Sequence, residues 1–120
     1  MSRILLAEDD DSLRGFLARA LERAGYEVVV CADGEEAMAA LDAPEPFDLL
    51  LTNIVMPGVD GIEVAREAAA RQPKLRIMFI TGFAAVALSA GTRAPEGAKV
   101  LSKPVHLREI VAEVERMMAA

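Results

Sequence analysis

The chain has one cysteine, Cys31, so no internal disulfide can form, and the sequence points to a reducing compartment. No apolar stretch reaches the roughly 20 residues that a membrane-spanning helix needs. Met1-Ser2-Arg3 runs directly into an apolar segment, without the long apolar core and cleavage site of a leader peptide. Positive charge is in deficit. Thirteen Lys and Arg stand against 19 Asp and Glu, a formal net charge of −6, and that field repels nucleic-acid phosphates. No internal repeat or low-complexity segment interrupts the chain. These absences leave, as the expectation, a cytoplasmic protein whose partner is a protein or a small ligand rather than a membrane or nucleic acid.

What is present is 120 residues, 53% of them hydrophobic, enough for one domain (1–120) with a core of its own. The apolar segments alternate in type. Ile4–Ala7, Val28–Cys31, Leu49–Thr52, Ile77–Ile80 and Ala98–Leu101 are short runs of the kind that form buried parallel strands. Between them, apolar residues recur at helical spacing: Leu13, Phe16, Leu17, Ala20, Leu21 and Ala24, with Gly25 as the stop. Asp33-Gly34-Glu35-Glu36 and Asp60-Gly61-Ile62-Glu63 read as capping boxes, opening helices to about Leu41 and Arg71. Leu107, Ile110, Val111, Val114 and Met118 line one face of a last helix. Counting the segment from Phe83 to Ala90, the pattern predicts an α/β fold: a five-stranded parallel sheet covered on both faces by five helices, with Leu49–Thr52 central.

In such sheets, ligand groups gather beyond the carboxyl ends of the strands. Glu8, Asp9 and Asp10 follow the first strand, Asn53 the third, Thr81 the fourth, and Lys103-Pro104 the fifth. Two adjacent carboxylates at about 4 Å repel by on the order of 4 kcal/mol at an effective dielectric near 20. A hard divalent cation with oxygen ligands offsets such repulsion, and Mg²⁺ suits a site with few carboxylates. Each residue alone has a plainer reading. Asp10 and Asp11 fit better as caps of the first helix than as metal ligands. Glu8 and Asp9 could be a solvated turn, Thr81 a turn residue and Lys103 a surface charge. Their joint placement at four strand ends favours a site.

Ile4–Asp10, Leu51–Gly61 with its Met-Pro-Gly-x-Asp-Gly run, Ile80-Thr81-Gly82 and Ser102-Lys103-Pro104 resemble the receiver domains of two-component response regulators, with family spacing along the whole chain. The resemblance implies a flavodoxin-like fold of strand order 2-1-3-4-5, and a Mg²⁺ site in which Glu8 and Asp9 are the acidic pair and Val55 supplies a backbone carbonyl. It implies that Thr81 and Lys103 hold the phosphoryl group, and that a histidine kinase or phosphotransferase supplies it. Asn53 falls where the phosphoacceptor aspartate belongs, so Mg²⁺ binding is expected to be weakened. Val100 falls where receivers usually carry a switching aromatic. Asn53 reads either as a substitution that locks the unphosphorylated state or as a natural loss of phosphorylation. Retention of Thr81 and Lys103 favours the first.

The opening run through Leu17 and the segment from Phe79 to Leu88 further resemble the stand-alone α-proteobacterial receivers that prime the ClpXP protease for its substrates when unphosphorylated. No effector domain is expected after Ala120, so output is expected through protein contact. Gly82–Thr92 carries no charge. Phe83, Val86 and Leu88, with Val100, form either a small-residue packed helix or a partner-docking face. Two further readings stand beside the adaptor. One is a pseudo-receiver that binds partners constitutively. The other is a small Mg²⁺-dependent phosphotransfer enzyme, which would need an aspartate nucleophile where Asn53 stands.

Overall fold

The computed structural model describes residues 2–82, 94–104 and 106–119. The elements run β1 (Arg3–Ala7), α1 (Asp11–Arg23), β2 (Glu27–Cys31), α2 (Gly34–Ala40), β3 (Leu49–Asn53), α3 (Gly61–Arg71), β4 (Arg76–Thr81), β5 (Lys99–Ser102) and α4 (Leu107–Ala119). All pairings are parallel, in the order β2-β1-β3-β4-β5, so β3 is central, as its unbroken apolar run predicts. The described residues hold four helices where the sequence predicts five. The expected remaining helix, Phe83 to Ala90, lies outside the described residues.

Alternation along the strands sends side chains to two cores. Leu5, Leu50, Ile77 and Phe79 pack with Ala37 of α2 and Val64, Ala65 and Ala68 of α3. Ile4, Leu6, Leu49, Leu51, Met78 and Ile80 pack with Leu17 and Leu21 of α1 and Ile110 and Val114 of α4. Each fully buried aliphatic side chain contributes roughly 1.5–3 kcal/mol of transfer free energy, so a sheet buried on both faces is a rigid base for the residues at its edge.

The helix starts are fixed by side-chain caps. Asp10 Oδ1 accepts from Leu13 N at 2.9 Å, Asp33 Oδ1 from Glu36 N at 2.8 Å, and Asp60 Oδ1 from Glu63 N at 2.9 Å. Asp10 is thus the cap of α1, and Asp11 sits in its first turn. At α2 the reciprocal bond of a capping box is displaced by one residue: Glu36 Oε1 accepts from Ala32 N, at 2.9 Å, rather than from Asp33 N.

Candidate functional site

The register brings the polar residues to one edge. Ala7 pairs with Thr52, Asn53 with Ile80, and Thr81 with Ser102, so the residues that end β1, β3, β4 and β5 stand side by side. Asn53 and Thr81 are the last residues of their strands rather than the first beyond them. Lys103 N donates to Thr81 O at 2.7 Å, tying the ends of β4 and β5 together.

Glu8 is 1% exposed. Its Oε1 lies 3.2 Å from Lys103 Nζ, and its Oε2 accepts from Asp10 N at 3.0 Å. Burial pushes the Glu8 carboxyl above its ordinary value, and the Asp10 N–H and the Lys103 ammonium pull it back only in part. Asp9 is exposed. Partial burial pushes it up too, but the Asn53 amide, its contact with Glu8, its own backbone N–H and Lys103 outweigh that, and its carboxyl sits below the ordinary value. The acidic pair is therefore split, as neighbouring carboxyls in unequal surroundings are.

Asn53 lies at the centre. Its Nδ2 donates to Asp9 Oδ1 at 2.9 Å and to Val55 O at 3.2 Å, with Glu8 Oε2 at 3.4 Å. Its Oδ1 is turned the other way and accepts from Ile54 N at 2.9 Å. Val55 presents its carbonyl to the pocket while its side chain is exposed. Thr81 is fully buried at the end of β4, and Thr52 Oγ1 donates to Asn53 O at 2.8 Å. The structure thus brings together Glu8, Asp9, Asn53, Val55, Thr81 and Lys103. The Lys103–Pro104 peptide is cis. Val100 stands apart on β5, partly buried, in register with Phe79 and packed on the same core. Phe83, Val86 and Leu88 lie outside the described residues.

Arg14 is a site residue that the sequence reading missed. Its Nη1 donates to Glu8 O at 2.9 Å and its Nη2 to Asp11 Oδ1 at 2.5 Å. The signal was its position three residues after Asp11 on the first turn of α1.

The donor set tests the metal reading. Among the described residues no three His, Cys, Asp or Glu side chains converge as a cation site. Two carboxylates and the Val55 carbonyl do, but the Asn53 amide turns its NH₂ toward them, with Nδ2 at 2.9 Å from Asp9 Oδ1, 3.2 Å from Val55 O and 3.4 Å from Glu8 Oε2. A cation approaching them would meet donor hydrogens, so the pocket in this arrangement does not fit Mg²⁺.

The geometry accords with the comparisons. Residues 4–115 match the response regulator receiver domain. The chain is 59% identical, over 120 residues, to the response regulator receiver protein CpdR of Brucella abortus, covering 100% of this chain and 99% of that one. A response regulator receiver protein from Sinorhizobium medicae superposes with a TM-score of 0.89 at 29% identity, over 99% of this chain and 95% of that one. The response regulator TrrA of Thermotoga maritima, solved in complex with Mg²⁺-BeF, gives 0.80 at 28% identity over 98% and 99%. The chain belongs to the response regulator receiver domain family.

Proposed function

We propose that this receiver acts through protein contact as an adaptor of the ClpXP protease, and that its adaptor state cannot be switched by phosphorylation. The observation that carries the second half is Asn53 at the end of β3. A carboxamide oxygen bears no full negative charge and forms no acyl phosphate, and here that oxygen is held by Ile54 N–H. A histidine kinase or phosphotransferase that docks on this edge therefore finds no acceptor. Lys103 is paired with Glu8 through its ammonium and bonded to the Thr81 carbonyl through its backbone N–H. The adaptor half is supported by the full-length likeness to CpdR and by the resemblance of Ile4–Leu17 and Phe79–Leu88 to receivers that prime ClpXP. Because Asn53 removes the trigger, the protein works as a constitutive pseudo-receiver in effect. The phosphotransfer-enzyme reading needs a nucleophilic carboxylate on β3, and the amide there opposes it. Phe83, Val86, Leu88 and Val100 are proposed as the docking face on sequence alone.

The test is reconstituted proteolysis of an adaptor-dependent ClpXP substrate. This protein should stimulate degradation equally with and without acetyl phosphate and Mg²⁺. The Asn53→Asp form should stimulate only until the phosphodonor is added. No stimulation by either form would end the adaptor reading. Inhibition of the Asn53 protein by the phosphodonor would end the locked one.

A further inference from the structure

We infer that the Asn53 carboxamide takes the place of the divalent cation in this pocket, so that the acidic edge is settled without metal and closed to it. This property belongs to the pocket alone and holds whatever partner the domain has.

Three oxygens converge here, Asp9 Oδ1, Val55 O and Glu8 Oε2, and one amide nitrogen reaches all of them, at 2.9, 3.2 and 3.4 Å. A carboxamide has two N–H donors on one side and an acceptor on the other. The network fixes which side faces inward. Ile54 N–H, at 2.9 Å, can only donate, so it requires Oδ1. The three inward oxygens can only accept from the amide, so they require Nδ2. Turning the amide over would set donor against donor at Ile54 and acceptor against acceptor at the other three positions. Asn53 therefore cannot lend its oxygen to a cation without losing every one of these bonds.

The charge of the pocket fits this role. Glu8 and Asp9 are offset by Lys103, 3.2 Å from Glu8, which leaves one net negative charge. An aspartate at 53 would leave two and give its own oxygens as ligands, a set that calls for a dication. With the amide in place, the remaining negative charge lies on Asp9, which is exposed and hydrogen-bonded to the amide. This gives the retained residues a use that does not depend on phosphate. Glu8, Asp9 and Lys103, with the Asn53 amide, form a polar set that holds the ends of β1 and β3 together.

Loss of ligand charge and occupation by the amide predict opposite orders for two uncharged variants. If Asn53 merely lacks the charge of an aspartate, Asn53→Ala should bind a cation no better, since it has even less to offer. If the amide occupies the position, Asn53→Ala opens it, and a water can complete the coordination sphere. Mn²⁺ titration followed by electron paramagnetic resonance of the free ion should then show Asn53→Ala binding roughly tenfold to a hundredfold tighter than the Asn53 protein, the scale of hydrogen bonds to charged acceptors. Asn53→Asp should bind tighter still. Equal or weaker binding by Asn53→Ala overturns the inference. Should that variant fail to fold, the side-chain amide resonances of Asn53 in the unaltered protein decide. They should stay in place and sharp as Mg²⁺ and then Mn²⁺ are added, and paramagnetic broadening at sub-stoichiometric Mn²⁺ would overturn the inference.

Discussion

Glu8 is nearly inaccessible yet acidic, and Lys103, at 3.2 Å, is the only side-chain cation that the described residues place beside its carboxylate. Removing that ammonium as Lys103→Met leaves the buried carboxylate facing only Asp10 N–H and the Asn53 amide. The cost should be about 1–3 kcal/mol at neutral pH. Its sign with pH follows from the raised Glu8 pKa. A carboxyl whose folded pKa lies above its ordinary 4.5 destabilises the fold as pH rises through that value, because the folded state holds the proton longer. Without Lys103 the folded pKa rises further. Urea unfolding should therefore show the Lys103→Met deficit in full at neutral pH and largely gone at about pH 4. A deficit that is the same at both pH values would mean that packing, not charge, sets it. At this scale the sequence told much but not all. Glu8, Asp9, Asn53, Thr81 and Lys103 could be named because their residue types stand at strand ends. The direction of the Asn53 amide could not, since it depends on Ile54 N–H and Val55 O, backbone groups that carry no side-chain signature. Arg14 escaped for the same reason: it holds the backbone carbonyl of Glu8.

Two helices begin against the loop that follows β3, and both begin with glycine. A Cβ on Gly61 would lie 2.0 Å from Asn53 O, and one on Gly34 would lie 1.9 Å from Val59 O. Both contacts are with backbone, which cannot swing aside as a long side chain can. Gly61 also donates its N–H to Ile54 O at 2.7 Å, so α3 is held close to the end of β3. Gly61→Ala must push α3 away from the strand that carries Asn53. It should cost roughly 1–3 kcal/mol, the usual scale of overpacking. It should also shift the amide signals of Asn53 and Ile54, while those of β2 hold. Stability unchanged in chemical denaturation would contradict the close approach. The sequence marked these glycines only as members of capping boxes. It could not show that the box at α2 would engage Ala32 in place of Asp33, because the two donors are backbone N–H groups that carry no side-chain signature. Strand limits were similarly short at the polar end. Asn53 and Thr81 do not extend an apolar run, yet backbone pairing is indifferent to side-chain polarity and carries both into the sheet.

At the scale of the molecule the doubly covered parallel sheet was legible because five short apolar runs alternate with helical periodicities, whereas its order β2-β1-β3-β4-β5 was expected from the resemblance of the strand-end motifs to receivers. Runs this apolar do not reveal which residues face which core. That division, Leu5 and Phe79 toward α2 and α3, Leu6 and Met78 toward α1 and α4, comes from the register. The doubly covered sheet fixes the strand ends, and at those ends Glu8, Asp9, Asn53, Thr81 and Lys103 stand together, with Asn53 proposed to stand in the acceptor position. The central claim is that this pocket cannot take up a phosphoryl group. Intact-mass spectrometry after incubation with acetyl phosphate and Mg²⁺ tests it most directly, with Asn53→Asp run alongside. The account predicts one phosphoryl adduct on the Asn53→Asp form, lost on treatment with hydroxylamine, and none on the Asn53 protein. A stoichiometric, hydroxylamine-sensitive adduct on the Asn53 protein would contradict it.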